Sequence, residues 1–243
     1  DEQAIGFRLF RAYSKLPREY LGISQSERSA ADECRGVMRI SDFYRKTLGG
    51  IIIPERWQEW YFTPAAAFAE ATNGAVFTDP LGEFTRIRST LLSGMPEDVR
   101  LKRIASHLLA LAQYGQYNFG RCIDHGEKTA AMISLSRFSE RYASLVCLIG
   151  GRWAPYYKWT ARAAREQREW ALEASLLDEL PTLAVSDARG CFECIEQLCG
   201  TVIDWLVKEK LAPPLGDYLE PYAYAVNDMI KTEQIRNMPL STD

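Results

Sequence analysis

The densest grouping of residues able to do chemistry is Arg152-Trp-Ala-Pro-Tyr-Tyr-Lys-Trp159, where four aromatics alternate with Arg152 and Lys158 and Pro155 restricts the backbone. Aromatic faces beside cations suit a planar ring carrying phosphate, because the rings stack on a base while the cations hold phosphate oxygens. The same residues also suit the end of a helical bundle, where Trp and Tyr bury one side and turn a polar edge to water. A second group, Tyr114-Gly-Gln-Tyr-Asn-Phe-Gly-Arg121, offers donors and acceptors at a helix end, Tyr117, Asn118 and Arg121 among them. A third, Phe77-Thr-Asp-Pro-Leu-Gly-Glu-Phe84, is a turn bearing Asp79 and Glu83. Two carboxylates there suit an acid–base pair or Mg²⁺. Locally they suit better the cap and first-turn acid of a helix starting at Phe84.

Two sharper spacings also occur. Arg100 and His107 stand seven apart, an R-x6-H pattern that places both on one helix face and is found in a class of helical ribonucleases. Cys191-x-x-Cys194, with Cys199 nearby, has the spacing of half a zinc site. A second half-site is missing, and His107 and His125 lie far away in sequence, so the cysteines read as residues on and beside a helix face. The sequence contains no phosphate-binding Walker loop, dinucleotide glycine fingerprint, G-x-S-x-G elbow or H-E-x-x-H pair.

The elements that must carry these groups are mostly helical. A run with Ile5, Leu9, Ala12 and Leu16 near helical spacing ends at Pro17, and Ser24 to Asp32 reads as a polar loop. Gly36 to Ile40 is the best strand candidate; Ser41 and Asp42 are placed to cap a helix from Phe43 to Leu48, closed by Gly49-Gly50. Pro54 and Pro64 suit helix starts for Glu55 to Tyr61 and Ala65 to Ala71. Asn73-Gly74 is a turn, Ala75 to Phe77 a brief extended piece, and Phe84 to Leu92 a short amphipathic helix. Pro96 opens a longer helix with Val99, Leu101, Ile104, Leu108 and Leu111 facing inward. Glu127 to Ile149, apolar nearly all round in its second half, is the expected buried centre of a bundle. Arg162 to Glu179, Cys191 to Lys208 and Asp217 to Ile230 complete the set. Strand content is too low for a sheet built by this chain alone, so the expectation is a mainly α fold: residues 1–50 a partial α/β segment, residues 51–243 a helical domain.

Composition bounds the rest. The 243 residues carry a net charge of −3 with a pI near 5.6, which gives no overall pull toward nucleic acid or anionic membranes. Basic residues cluster locally at Arg100, Lys102 and Arg103 and at Arg162, Arg165 and Arg168. The longest apolar stretch, Tyr142 to Ile149, is far short of the roughly 20 residues that span a bilayer. Six cysteines without the density of a disulfide scaffold point to a reducing, cytoplasmic setting, with Cys147 in the most apolar segment.

Several segments together resemble a known family: Leu16-Pro-Arg-Glu-Tyr-Leu-Gly22, Arg39-Ile-Ser-Asp-Phe-Tyr-Arg45, Ala71-Thr-Asn-Gly-Ala-Val-Phe77, Asp79-Pro-Leu-Gly-Glu-Phe84, Pro96-Glu-Asp-Val-Arg-Leu-Lys102, Gln113-Tyr-Gly-Gln-Tyr-Asn118 and, most specific, Ala154-Pro-Tyr-Tyr-Lys-Trp159. They are similar to bacterial proteins that carry the domain of unknown function numbered 4037. That resemblance implies a polymerase-β-type nucleotidyltransferase fold followed by a helical substrate-side domain like that of aminoglycoside nucleotidyltransferases. Mg²⁺ and a nucleoside triphosphate would be cofactor and substrate of the intact parent. This chain departs from the pattern before residue 40, where no glycine-serine turn is followed by an Asp-x-Asp pair, and Asp1 is not an initiator methionine. The expectation is therefore a truncated nucleotidyltransferase-like protein, inactive in this form, without a metal of its own. Asp42 explains itself as a helix cap and is given no metal role.

The expected substrate-binding residues are Arg152, Tyr156, Tyr157 and Lys158, then Tyr117, Asn118 and Arg121, then Asp79 and Glu83. Cations would contact phosphate or substrate and aromatics would stack, with a small molecule or nucleotide as partner rather than nucleic acid or a membrane. The alternatives are a non-catalytic helical interaction module and a helical ribonuclease using Arg100 and His107.

Overall fold

The computed structural model describes residues 2–13, 15, 17, 19–20, 23–24 and 38–240. The chain divides into two compact units, residues 1–52 and 53–243. The first holds helix α1 (Glu2–Tyr13), a hairpin of strands β1 (Glu19–Tyr20) and β2 (Ile23–Ser24), and helix α2 (Ile40–Thr47). The strands pair antiparallel, with Glu19 opposite Ser24 and Tyr20 opposite Ile23. The strand expected at Gly36 to Ile40 falls partly outside the described residues; within them Met38 and Arg39 are irregular and Ile40 already opens α2. Asp42 in the first turn and Arg45 and Lys46 in the last complement the helix dipole, which favours helix there. Ser41 and Asp42 are consequently inside the first turn and cannot cap it, contrary to expectation; Arg39 holds the cap position. Gly49 and Gly50 close the helix with positive φ, as a side chain there would be strained.

The second unit is mainly α. It runs α3 (Trp57–Phe62), α4 (Ala65–Thr72), α5 (Glu83–Ser93), α6 (Glu97–Leu111), a π-helical segment (Ala112–Phe119), α7 (Gly120–Asp124) and α8 (Lys128–Ile149). It continues through α9 (Tyr157–Arg165), a 3-10 turn (Arg168–Trp170), α10 (Ala171–Leu176), α11 (Leu180–Ser186), α12 (Ala188–Lys208), α13 (Leu219–Asp228) and α14 (Glu233–Arg236). Pro64 and Pro96 stand one position before their helices, where a missing N–H costs nothing. The expected extended piece at Ala75 to Phe77 is irregular. The single helix expected from Arg162 to Glu179 is broken. A straight helix would set Arg165 and Asp178 roughly 20 Å apart, yet their side chains pair at 2.8 Å while Trp170 turns inward, edge-on to Trp205.

The core is built on α6 and α8. Val99, Leu101, Ile104, Leu108 and Leu111 of α6 are all buried, as are Phe138, Tyr142, Leu145, Val146 and Cys147 of α8. The two helices are antiparallel: Ser134 of α8 meets Tyr114 beyond the end of α6, while Leu148 near the end of α8 and Arg103 near the start of α6 border one cleft. α13 packs most extensively on α6. Among the described residues, no helix is long and apolar enough to cross a membrane.

The π-helical segment was not legible in the sequence. Its Tyr114 carbonyl accepts a hydrogen bond from Ser134 Oγ at 2.7 Å, and Gly115 lies against Phe138 and Ile195. A Cβ on Gly115 would stand 2.9 Å from Ile195 Cγ2 and closer still to the Phe138 ring, and both side chains are fully buried. A Cβ on Gly200, inside α12, would meet nothing within 4 Å. The two Gly→Ala variants should therefore move in opposite directions. Overpacking makes Gly115→Ala destabilising by about 1–2 kcal/mol net, whereas helix propensity makes Gly200→Ala stabilising by about 0.5–1 kcal/mol. Thermal melts of the pair check this, and a stabilised Gly115→Ala would refute the close packing at the π turn.

Candidate functional site

The turn between α8 and α9 carries the Arg152–Trp159 segment, and its residues separate by role. Trp153 goes inward: it is buried, its Nε1–H donates to the Leu91 carbonyl at 2.8 Å, and it stacks on Phe68 at 4.2 Å with Trp60 beyond. Tyr156, Tyr157 and Trp159 stay more than half exposed. Tyr156 and Tyr157 lie 4.5 Å apart, and the Arg162 guanidinium rides 5.0 Å over the Trp159 ring. Tyr156, Trp159 and Arg162 succeed one another at i, i+3, i+6, so they form one face of α9.

That face borders a cleft of about 840 Å³ whose opposite wall is α4. Ala66, Ala67 and Ala69 supply a small, flat apolar surface; Arg88, Arg152 and Arg162 supply cations, and Glu70 and Glu166 carboxylates. Arg88 is fixed, since its Nε donates to the Thr72 carbonyl at 3.0 Å and its Nη2 to the Gly74 carbonyl at 2.9 Å, capping the end of α4. Arg152 pairs with Glu166 at 3.2 Å, both exposed. Of the expected residues, Arg152 and Tyr156 line this cleft; Tyr157 flanks Tyr156, and Lys158 does not line it.

The other expected residues lie elsewhere. Tyr117 and Arg121 form a cation–π pair at 5.0 Å, beside Asn118, in the π segment and α7. The neighbouring Gln116 is a brace: its side chain donates to Glu196 and to the Asp217 carbonyl and accepts from the Leu219 N–H. Asp79 is committed to capping α5, because Oδ2 accepts from the Thr85 N–H at 2.7 Å, which also holds its carboxyl below the usual carboxylate range. Glu83 is the first-turn acid of the same helix. These carboxylates make a helix start rather than a metal pair. Asp42 is an exposed first-turn acid of α2, and no group of three or more His, Cys, Asp or Glu side chains is placed to hold a metal among the described residues. Those residues therefore offer no fitting ligand set for the Mg²⁺ that the resemblance implies. On α12, Cys191 and Cys199 are buried; the Cys191 thiol donates to the Leu180 carbonyl, and burial pushes it up to about 12.

A second, polar cleft of about 500 Å³ lies between the α3–α4 turn, α6 and α8. Arg103 Nη2 donates to the carbonyls of Trp60, Tyr61 and Thr63 at 2.9–3.0 Å, capping α3. His107, one turn on, has its pKa lowered to about 3 by burial first and then by the charges of Arg141 and Arg103. Arg100 is instead held by Glu97 at 2.7 Å and does not line this cleft. The ribonuclease expectation needs Arg100 and His107 exposed together as a reactive pair, and the fold separates them: one is ion-paired, the other an enclosed, weakly basic imidazole. The basic cluster at 100–103 dissolves likewise, since Lys102 is fully buried. Sequence reasoning missed Arg88, Arg103, Arg141 and Arg162 as lining residues. The signal for two was there: Arg162 follows Trp159 by three residues, and Arg103 precedes His107 by four, each a same-face spacing.

Comparison with known proteins returns no match among curated proteins and none among solved structures. Residues 60–160 match the family model described as Domain of unknown function (DUF4037), a span that includes every residue lining the polar cleft and all of the aromatic cleft except Arg162, Ala163 and Glu166. The similarity to that family thus runs from α3 into α9.

Proposed function

We propose that residues 53–243 are the substrate-side module of a nucleotidyltransferase-like protein, and that the cleft between α4 and α9 takes a planar ligand bearing phosphate. On this reading residues 1–50 belong to an α/β nucleotidyltransferase-like part. The observation that carries it is the α9 face: Tyr156 and Trp159 hold more than half their surface in water, beside an arginine poised over the indole. Two large rings left exposed beside an alanine wall forgo burial that stacking on a base would recover, at about 1–3 kcal/mol per base. Arg88, Arg152 and Arg162 supply bidentate donors for phosphate. The exposed Arg152–Glu166 pair is worth only about 0–1 kcal/mol, so a phosphate displaces Glu166 at little cost.

Calorimetric titration with the nucleoside triphosphates tests this. Saturable binding is expected, with Trp159→Ala weakening it about 10-fold or more, the loss of one stacked base. Absence of saturable binding by any of them, or affinity untouched by Trp159→Ala, would sink the proposal. A non-catalytic interaction module is the second reading, favoured by Phe77 and Leu81, which stand 96% and 91% exposed on the loop before α5. It predicts that no nucleotide binds.

A further inference from the structure

The polar cleft holds an imbalance that the nucleotide reading leaves unused. Arg103 Nε, Ser106 Oγ and His107 Nδ1 are enclosed, and none has a hydrogen-bond partner among the described residues. The three residues occupy i, i+3 and i+4 on α6, so they present one face to the cleft. From α8, Arg141 borders the same space, half-buried and without hydrogen-bond or ion-pair partner among the described residues. The titratable and charged groups around the cleft are Tyr61, Arg103, His107, Glu140, Arg141 and Arg152. Arg152 has Glu166, and Glu140 is exposed at the rim. Among the described residues, Arg103 meets carbonyl oxygens and the faces of Tyr61 and Trp153 but no carboxylate, and Arg141 has no hydrogen-bond or ion-pair partner.

Buried donors in native proteins are nearly always partnered, and unpartnered ones mark a missing group. Water could satisfy the hydroxyl and the imidazole, but it brings no charge to offset two guanidinium groups in a partly enclosed space. A compact oxyanion does both at once. We infer that this cleft is a phosphate site, in which Arg103 Nε, the Arg141 guanidinium, the Ser106 hydroxyl and His107 Nδ1–H donate to the anion. The volume of about 500 Å³ exceeds a lone ion and falls in the range of small-molecule sites, so both free phosphate and a phosphomonoester fit. Burial first, and then the charges of Arg141 and Arg103, keep His107 neutral, and those charges are the ones an anion would compensate.

The test is a titration of the full chain with inorganic phosphate and with glycerol 3-phosphate, at ionic strength fixed with sodium chloride, read by thermal shift and calorimetry. Saturable stabilisation by either supports the site. Tighter binding of inorganic phosphate identifies a free-ion site, and tighter binding of the ester identifies the phosphate end of a small organic ligand. Arg141→Gln should weaken binding about 10-fold or more, the loss of a charge-assisted contact. Ser106→Ala, a smaller change, provides the same comparison should Arg141→Gln not fold. No stabilisation beyond that of sodium chloride, or equal binding by the variants, overturns the inference. Neither probe has a ring to stack, so this result and the Trp159→Ala result fail separately.

Discussion

Lys102→Met is expected to lower the stability of the helical unit by about 3 kcal/mol, the cost of orphaned acceptors around a buried site. Lys102 is fully buried at the start of α6. Its ammonium donates to Asn227 Oδ1 at 2.8 Å and to the carbonyls of Arg236 and Met238. The side chain thus ties α6 to the end of α13 and to the turn after α14. Two effects oppose each other. Burial lowers the Lys102 pKa, and no carboxylate among the described residues pairs with it, so methionine removes a desolvation penalty. Against that, methionine leaves three acceptors facing a thioether. Arg236 retains a second donor in Asn227 Nδ2, whereas no second donor to the Met238 carbonyl or Asn227 Oδ1 is seen among the described residues. Unsatisfied acceptors cost about 1–3 kcal/mol each, and packing recovers only part of that, so the loss wins. Asp98 fastens the same segment from the preceding turn, accepting from the Thr232 N–H and hydroxyl. Lys102→Met and Asp98→Asn should therefore be non-additive. Denaturant melts give the energy, and limited proteolysis should cut first within residues 229–240. A variant within about 0.5 kcal/mol of the parent, cut no faster, would show that the ammonium clamps nothing.

Lys102 also marks where the sequence becomes opaque. The inward face of α6 was legible because Val99, Leu101, Ile104, Leu108 and Leu111 repeat at helical spacing, and all are buried. The same segment reads, by composition, only as a local basic cluster of Arg100, Lys102 and Arg103. What separates them is tertiary: α13 and α14 bring oxygens to Lys102, and the end of α3 brings three carbonyls to Arg103. No local rule contains those partners. Asp79 shows the converse, since the cap reading uses only neighbours and the Thr85 N–H confirms it. The Arg152–Trp159 segment was found by composition, yet its division into inward Trp153 and outward Tyr156, Tyr157 and Trp159 depends on Phe68 and Leu91, more than 60 residues earlier. The polar cleft was invisible for the same reason. It needs α6 and α8 antiparallel, so that Arg141 comes to face His107.

That juxtaposition gives the second large effect: acidification from pH 7 to pH 4 should cost roughly 3 kcal/mol through His107 alone. The imidazole ordinarily titrates at 6.5; here burial first, then Arg141 and Arg103, lower it to about 3. A folded-state value below the unfolded one means that, between about 3 and 6.5, the unfolded chain binds more protons. Stability therefore rises with pH across that window and is lost as pH falls through it. Carboxylates contribute in the same direction at the acid end, as Asp98 and Asp79 are both held below their ordinary values. Their share is separated by His107→Gln, which keeps a neutral polar group facing the cleft but cannot take up the proton. The parent should lose stability between pH 6.5 and pH 4.5 while the variant stays nearly flat, measured by denaturant midpoints at each pH. Inorganic phosphate makes the comparison sharper. An anion beside Arg103 and Arg141 offsets the charges that oppose protonation, so saturating phosphate should raise the His107 pKa and shrink the parent's slope without changing the variant's. Parallel slopes for parent and His107→Gln in phosphate-free buffer would mean that solvent reaches the imidazole and that the enclosed, cation-flanked setting of His107 is wrong.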